Sequence, residues 1–314
     1  MSDVFKVGNM EVQQGKKIQG FLNVANSEVK MPVTLINGAK PGKTVVITGG
    51  IHGGEYPGIE TAIRIAKQLD PMEIAGKVAI VHPVNVPAFE SKMQYYGPED
   101  GKNLNRMFPG KLLGTLTERI AYTITTELHN QADFYIDLHG GDIHEDLIPF
   151  VIYPTQVDEE VERIAKEASS LLGIEYVIGS VSKNGTFGSA AVLGVPGFLA
   201  EIGGRGLWCE EEVEKYMKGV VNVLKYLNVL PGVVEDLGEV KLLPKMNVVS
   251  SNQTGCWYPS IKPGDTVYNN QKVGEMRDYF GNALEEYYSP VDGVVLFVAS
   301  SLAISKEDPL VAIG

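Results

Sequence analysis

The chain has 314 residues, 44% of them hydrophobic and 21% charged, which is the composition of an ordinary globular protein with a substantial core. A net charge of -12 at pH 7 and the lack of a basic patch argue against nucleic-acid binding as a main role. No run reaches the ~18 apolar residues of a membrane span and residues 1–30 carry no apolar signal core, so we predict a cytoplasmic protein with no membrane partner.

The first third of the chain alternates between strand and helix patterns. β-Branched, apolar runs bounded by turn residues predict strands, and apolar residues at helical spacing predict a helix that ends before Asp70-Pro71. The predicted elements are strands around Glu11-Val12 and Val33–Ile36, a strand Thr44–Thr48, a helix from Pro57 to about Leu69, and a strand Val78–Val81. A strand, a helix and a second strand in this order form a βαβ unit, which predicts a parallel sheet.

The middle of the chain opens with residues 83–114, which show no periodicity. Loops of this length in compact domains are usually functional or disordered, and the Asn-rich run 103–110 favours a functional loop. Further elements follow from the capping box Thr115–Glu118 and from apolar periodicity. They are a helix from Thr115 to about Asn130, strands Phe134–Leu138 and Ile148–Tyr153, a helix from Val157 to Leu172, a strand Gly197–Glu201, and a helix from Glu210 to about Asn228.

The pattern changes at Leu230-Pro231-Gly232. Beyond this point the segments are short, β-prone and separated by turns such as Lys262–Asp265 and Ser289–Gly293. We therefore predict a catalytic α/β domain over residues 1–231 and a compact all-β accessory domain over residues 232–314.

Two glycine-rich turns carry candidate metal ligands. His52 and Glu55 follow the strand Thr44–Thr48, and His139 follows the strand Phe134–Leu138. A catalytic zinc site takes three such His and carboxylate ligands and leaves one coordination position open. Asp137 could orient the His139 ring through a hydrogen bond. The carboxyl ends of strands in an open α/β sheet are where ligand sites are usually built, which favours these residues over a chance pairing.

Three further residues are candidates for substrate chemistry. Glu201 ends an apolar strand, where a carboxylate is costly unless it is paired or functional; it suits a general base, and the alternative is a structural ion pair with Arg205. Arg106 offers a planar fork that matches a carboxylate, and Asn105 could add a hydrogen bond; the alternative is a solvated loop arginine. His82 is expected to be a core or edge histidine and His129 to lie near a helix end.

Four motifs in order resemble the succinylglutamate desuccinylase/aspartoacylase family of the zinc carboxypeptidase superfamily. They are His52-Gly-Gly-Glu55, Asn103-Leu-Asn-Arg106-Met-Phe, Asp137-Leu-His139-Gly-Gly and Ala200-Glu201-Ile-Gly-Gly. The resemblance implies a carboxypeptidase-like α/β fold with a mixed sheet flanked by helices and a smaller C-terminal all-β domain. By matching position, it implies one zinc ion per chain on His52, Glu55 and His139, with Glu201 as general base and Asn105 with Arg106 on the substrate carboxylate.

One feature of the family has no counterpart here. Members commonly carry another arginine shortly before the Asn-Leu-Asn-Arg motif, where it polarises the scissile carbonyl, but no arginine lies between Arg64 and Arg106. Gln94, Tyr95, Lys92 and Lys102 occupy that neighbourhood, and Arg205 is an alternative source of the charge. The C-terminal region is similar to half of a biotinyl or lipoyl barrel but lacks the carrier lysine in its Val291-Asp292-Gly293 turn.

The function expected from these residues is hydrolysis of the amide bond of a small N-acylated amino acid or related amide by a zinc-dependent deacylase. A metallocarboxypeptidase acting on peptide C-termini is an alternative, and so is a non-catalytic relative that binds the metal or a ligand. The expected partner is the small-molecule substrate, and no nucleic-acid partner is expected. The sequence does not decide whether the chain forms a homo-oligomer.

Overall fold

The computed structural model of the protein describes residues 3–314. The helices are α1 (Tyr56–Gln68), α2 (Val86–Ser91), α3 (Leu116–Glu127), α4 (Glu159–Ser169), α5 (Thr186–Val192) and α6 (Glu210–Tyr226). The first eleven strands are β1 (Val4–Val7), β2 (Met10–Gln13), β3 (Lys16–Asn23), β4 (Lys30–Asn37), β5 (Lys40–Gly49), β6 (Ala75–Val81), β7 (Phe134–His139), β8 (Glu145–Leu147), β9 (Phe150–Pro154), β10 (Tyr176–Ser180) and β11 (Gly197–Glu201). The remaining strands are β12 (Lys241–Leu243), β13 (Asn247–Ser250), β14 (Gly255–Pro259), β15 (Thr266–Val267), β16 (Lys272–Arg277), β17 (Ala283–Tyr288), β18 (Gly293–Ala299), β19 (Ala303–Ile304) and β20 (Pro309–Ile313).

A mixed sheet of nine strands forms the centre of the fold, in the order β12-β10-β9-β11-β7-β5-β6-β4-β3. Strand β7 lies between β11 and β5 and runs parallel to both, and β5 is also parallel to β6. Across these strands Glu201 pairs with His139, and Asp137 pairs with Thr48. The carboxyl ends of three adjacent parallel strands therefore meet at one edge of the sheet, as the βαβ pattern predicts.

Helices and a small hairpin cover the two faces of this sheet. Helices α1, α4 and α6 pack on one face, while α3, α5 and the β1-β2 hairpin pack on the other. Along β5, Val45 and Ile47 face the first layer and Val46 faces the second, because successive side chains of a strand point to opposite faces. The central strands are thus buried on both sides, which fixes the edge where the site lies.

The strands from β13 onward form two small antiparallel sheets around a separate core that includes Trp257 and Val295. Contacts connect this region to the large sheet: β8 pairs with β18, β12 adds to the edge of the large sheet beside β10, and Phe150 packs in one cluster with Leu296. The C-terminal region therefore lies against the α/β sheet. The division into domains at residue 231 stays a prediction.

Most predicted elements are present, with small shifts at their ends, and the mixed sheet with C-terminal antiparallel strands confirms the predicted fold class. The segment 83–114, predicted to lack regular structure, contains α2 and a 3-10 turn at Leu104–Arg106. Helix α2 was not predicted because it is only six residues long and its Asn85 cap lies in a Pro-rich run. Strands β8 and β10 and helix α5 were likewise not predicted. Across residues 3–314, no helix has the length and apolar character needed to cross a bilayer.

Candidate metal and catalytic site

The turn after β5 brings His52 and Glu55 to the carboxyl edge of the sheet. Pro57 lies in the first turn of α1, where its missing N–H costs nothing. Gly53 passes so close to α2 that a β-carbon there would lie 2.3 Å from the backbone nitrogen of Phe89. Only glycine fits at such an approach. Glycine at position 53 therefore lets the turn that carries His52 and Glu55 lie directly against α2.

His139, at the end of β7, joins this pair in the interior. The Glu55 carboxylate lies between the two imidazoles: Oε1 is 2.6 Å from His52 Nδ1, and Oε2 is 2.8 Å from His139 Nδ1. One ligand atom from each of the three residues lies within 4.8 Å of the others, and all three residues are buried. The structure therefore brings together the three residues that the sequence predicts as metal ligands.

The partners of the outer ring nitrogens fix how the histidines face the centre. His52 Nε2 lies 3.0 Å from Asn103 Oδ1, and His139 Nε2 lies 3.0 Å from Asp137 Oδ2. Asn103 Oδ1 also accepts a hydrogen bond from the Asn105 N–H, which sets the orientation of that amide. Because both oxygens are acceptors, each Nε2 donates a proton, and the Nδ1 atoms of both rings face Glu55. In the neutral form with Nε2–H, both rings turn the Nδ1 lone pair toward the Glu55 oxygens, so this group could hold a metal ion.

Electrostatics at the centre agree with a place for a cation. Burial raises the pKa of Glu55, but attraction to His139 and His52 outweighs it and holds that pKa well below its usual range. Burial lowers the pKa of His139, whereas the Glu55 and Asp137 carboxylates raise it well above its usual range. Burial and the repulsion of Glu55 raise the pKa of nearby Asp142 to about 7. The Glu55 and Asp137 carboxylates therefore favour a positive charge beside them, and the raised pKa of His139 reflects that preference.

Glu201 ends β11 directly beside His139 across the sheet. Its Oε2 atom is buried and has no hydrogen-bond partner within residues 3–314. Burial, followed by repulsion from Glu55, raises the pKa of Glu201 well above its usual range. The alternative ion pair with Arg205 is not formed, because the Arg205 Nε atom lies 3.5 Å from Asp146 Oδ1 instead. A half-buried carboxyl group with a raised pKa and an unpartnered oxygen beside the candidate ligands suits a proton-transfer role.

Asn105 and Arg106 lie in the 3-10 turn that Asn103 caps. Asn105 is buried, and its Oδ1 accepts a hydrogen bond of 2.9 Å from the backbone N–H of Thr186. Arg106 is exposed, and its Nη1 donates to the Asn105 carbonyl at 3.0 Å. Both residues line the same cavity as His52, Glu55 and Glu201. The predicted substrate-binding residues thus share one cavity with the predicted base and with two of the three predicted ligands.

The cavity has a volume of about 650 Å3, and the C-terminal region forms part of its wall. Phe297, Lys306 and Asp308 line it from that side, and Tyr95 and Glu145 line it from the α/β side. Of these residues, only Tyr95 is named in the sequence analysis, because the others come from segments without a motif. Lys306 and Asp308 approach the cavity only through the packing of the C-terminal strands on the large sheet.

The alternative cations considered from the sequence lie elsewhere. Lys102 pairs with Glu118 at 3.1 Å, Lys92 lines a separate surface groove, and Arg205 lines a cavity beside Asp146. Among the described residues that line the 650 Å3 cavity, Arg106 and Lys306 are the only Lys or Arg. Tyr95 lies in the cavity wall, and burial, with smaller contributions from Tyr96, Glu145 and Asp308, raises the pKa of its hydroxyl well above its usual value.

A model of the succinylglutamate desuccinylase/aspartoacylase catalytic domain matches residues 41–227. The chain belongs to this family. All four motifs that carry the resemblance lie within the matched residues of this desuccinylase/aspartoacylase chain. A relative from Halomonas elongata, an N-alpha-acetyl-L-2,4-diaminobutyric acid deacetylase, is 31% identical over 311 residues, covering 94% of this chain and 90% of the relative.

Solved structures of the family share the whole architecture. The product-bound ectoine utilization protein EutE from Ruegeria pomeroyi superposes with a TM-score of 0.85 at 26% identity, covering 95% of each chain. A succinylglutamate desuccinylase/aspartoacylase from Rhodobacter sphaeroides gives a TM-score of 0.83 at 25% identity, covering 95% of this chain and 94% of that one. The similarity extends through the C-terminal strands, beyond the residues that the family model matches.

Proposed function

We propose that this protein is a zinc-dependent deacylase that hydrolyses the amide bond of a small N-acylated amino acid. The observation that carries the proposal is the shared cavity. His52 and Glu55 of the candidate ligand group, the Glu201 carboxyl group and the Arg106 fork line one space of about 650 Å3, and His139 lies against Glu55. Family membership and the deacetylase activity named for the Halomonas elongata relative support the same reaction class.

The donor set fits zinc. Two imidazole nitrogens and one carboxylate are the ligands of many catalytic zinc sites, which keep a further position open. His52 Nδ1, His139 Nδ1 and one Glu55 oxygen would hold the ion, with Asn103 and Asp137 orienting the rings. The chemistry that zinc supplies when bound is the activation of water and the polarisation of a carbonyl.

In the proposed reaction, the residues of the chain bind the substrate and move one proton. Arg106 would pair with the substrate carboxylate through its fork, and Asn105 would add a polar contact beside it. Glu201 would accept a proton from water as the water oxygen bonds to the carbonyl carbon. The same carboxylate would return that proton to the nitrogen as the carbon–nitrogen bond breaks, which leaves a carboxylic acid and a free amine.

The metallocarboxypeptidase alternative predicts a long groove open to a peptide. Here the C-terminal residues Phe297, Lys306 and Asp308 wall the cavity, which favours a small substrate over a chain that extends beyond its C-terminal residue. The wall contains basic residues, Arg106 and Lys306, as well as acidic residues, Glu145 and Asp308. Substrates with acidic side chains and with basic side chains both belong in a test panel, including N-alpha-acetyl-2,4-diaminobutyrate.

The test is turnover of that panel by the zinc-loaded protein beside the Glu201→Gln variant. We expect amine release from N-acyl amino acids, and a loss of at least about a hundredfold in kcat for the variant, because general acid–base catalysis contributes 10²–10⁴-fold. Zinc content of the variant should equal that of the wild type, since Glu201 is outside the ligand set. Cleavage of short peptides alone would support the carboxypeptidase, and full activity of Glu201→Gln would remove Glu201 from the mechanism.

A further inference from the structure

A ring of contacts surrounds the candidate metal site and passes through Thr186, a residue to which no role has been assigned. The ring runs through His52, Asn103, Asn105, Thr186, Asp137, His139 and Glu55 and returns to His52. Each contact in it joins side-chain or main-chain polar atoms at hydrogen-bond distance. Thr186 is the only member that lies outside the four sequence motifs.

Thr186 contributes two hydrogen bonds to the ring, one from its backbone and one from its side chain. Its backbone N–H donates to Asn105 Oδ1 at 2.9 Å, and its hydroxyl donates to Asp137 Oδ2. Asp137 is completely buried and also accepts from Thr48 Oγ1 at 2.7 Å and from His139 Nε2. Thr186 therefore binds on one side to the carboxylate that orients a metal ligand, and on the other to the segment that carries the substrate residues.

The residue before Thr186 makes this arrangement sterically feasible. A β-carbon on Gly185 would lie 2.9 Å from Asn105 Oδ1, a separation that real β-carbons do not show. Glycine at this position lets the Asn105 amide approach the start of α5 and reach the Thr186 N–H. Thr186 itself is completely buried, so its hydroxyl exchanges no partner with solvent. The contact is thus built into the local backbone.

We infer that Thr186 is a positioning residue that links the Asp137–His139 pair to the segment Asn103–Arg106, so that zinc binding and ordering of the substrate segment support each other. This inference rests on the proposed zinc site. Losing one of three donors would leave Asp137 freer to turn, and His139 would be oriented less well toward the ion. Coupling of this kind is reciprocal, because a contact that favours one bound state also favours the other.

The experiment compares zinc affinity, by chelator competition, in the wild type and in Thr186→Val, which removes the hydroxyl and keeps the backbone N–H. We expect binding to weaken by up to about tenfold, the lower end of the range for direct partners of metal ligands, because Thr186 acts on His139 through Asp137. Thr186→Ser keeps the hydroxyl and should restore affinity. Thr125→Val is the matched control, since Thr125 is a buried threonine on α3 whose hydroxyl has no partner within residues 3–314.

A second measurement follows hydrogen exchange of the segment Asn103–Arg106 with and without zinc. Zinc should slow exchange of this segment in the wild type and in Thr186→Ser, and should do so much less in Thr186→Val. If Thr186→Val does not fold, Thr186→Ala, which also removes the hydroxyl and keeps the backbone N–H, carries the same expectation. Wild-type zinc affinity and unchanged protection in the folded variants would overturn the inference while leaving the proposed function intact. A wild type that binds no zinc would overturn both.

Discussion

The buried side chain of His129 should make the protein unstable in mild acid. His129 is completely buried between Phe108 and Tyr135, with ring centroids 5.8 Å and 4.6 Å away, and neither ring nitrogen has a partner within residues 3–314. Burial lowers its pKa from an ordinary value of 6.5 to about 4, and the charge of Asp137 opposes that shift only weakly. The folded protein therefore keeps His129 neutral under conditions where the unfolded chain has already taken up a proton.

The sign and size of the effect follow from proton linkage. Above pH 6.5 both states hold a neutral imidazole, and His129 makes no contribution to pH dependence. As the pH falls from 6.5 to about 4, the unfolded state binds the extra proton, so the free energy of unfolding decreases. A shift of this size corresponds to a loss of about 3 kcal/mol, at about 1.4 kcal/mol per pH unit.

The assay is urea unfolding of the wild type and of His129→Leu at several pH values, with chelator present so that metal binding does not contribute. Leucine fills a similar volume and cannot be protonated, so the variant should lose less stability between neutral pH and about pH 4.5. His144→Gln is the control, because His144 is exposed. A stability difference between the wild type and His129→Leu that stays constant over this pH range would refute the reasoning.

Other predictions concern the site directly. Arg106→Lys should raise KM for N-acyl amino acids about tenfold with a smaller change in kcat, because a lysine ammonium cannot pair with both oxygens of a carboxylate as a guanidinium does. Equal KM values for the variant and the wild type in steady-state kinetics would contradict this. His139→Ala should bind less than stoichiometric zinc by elemental analysis while its circular dichroism stays that of the wild type. Tyr216→Phe removes the hydroxyl that lies 2.6 Å from both the His139 and Ala200 carbonyls, and urea unfolding should show a loss of about 1–3 kcal/mol. Lys306→Ala should alter kcat/KM without changing zinc content, since Lys306 lines the cavity but lies outside the ligand set.

The sequence could predict the parts of the site that local patterns determine. His52 and His139 each follow a buried apolar strand, and strand direction alone places both at one edge of the sheet. Thr186 could not be found this way, because its role depends on a hydrogen bond to Asn105 from a segment far along the chain. Helix α5, which begins at Thr186, is seven residues long and too short to produce a clear helical period.

Proximity in sequence to Glu201 does not predict which basic side chain reaches the cavity. Arg205 follows Glu201 closely in sequence, yet its backbone has a φ of 61° and its N–H donates to the Asp142 and Glu145 carbonyls. That geometry turns the side chain toward Asp146, away from the cavity of Glu201. Lys306 is distant in sequence but reaches the cavity because β18 pairs with β8 and brings the C-terminal strands against the large sheet. Lys306 is thus the basic residue other than Arg106 that lines the cavity within residues 3–314.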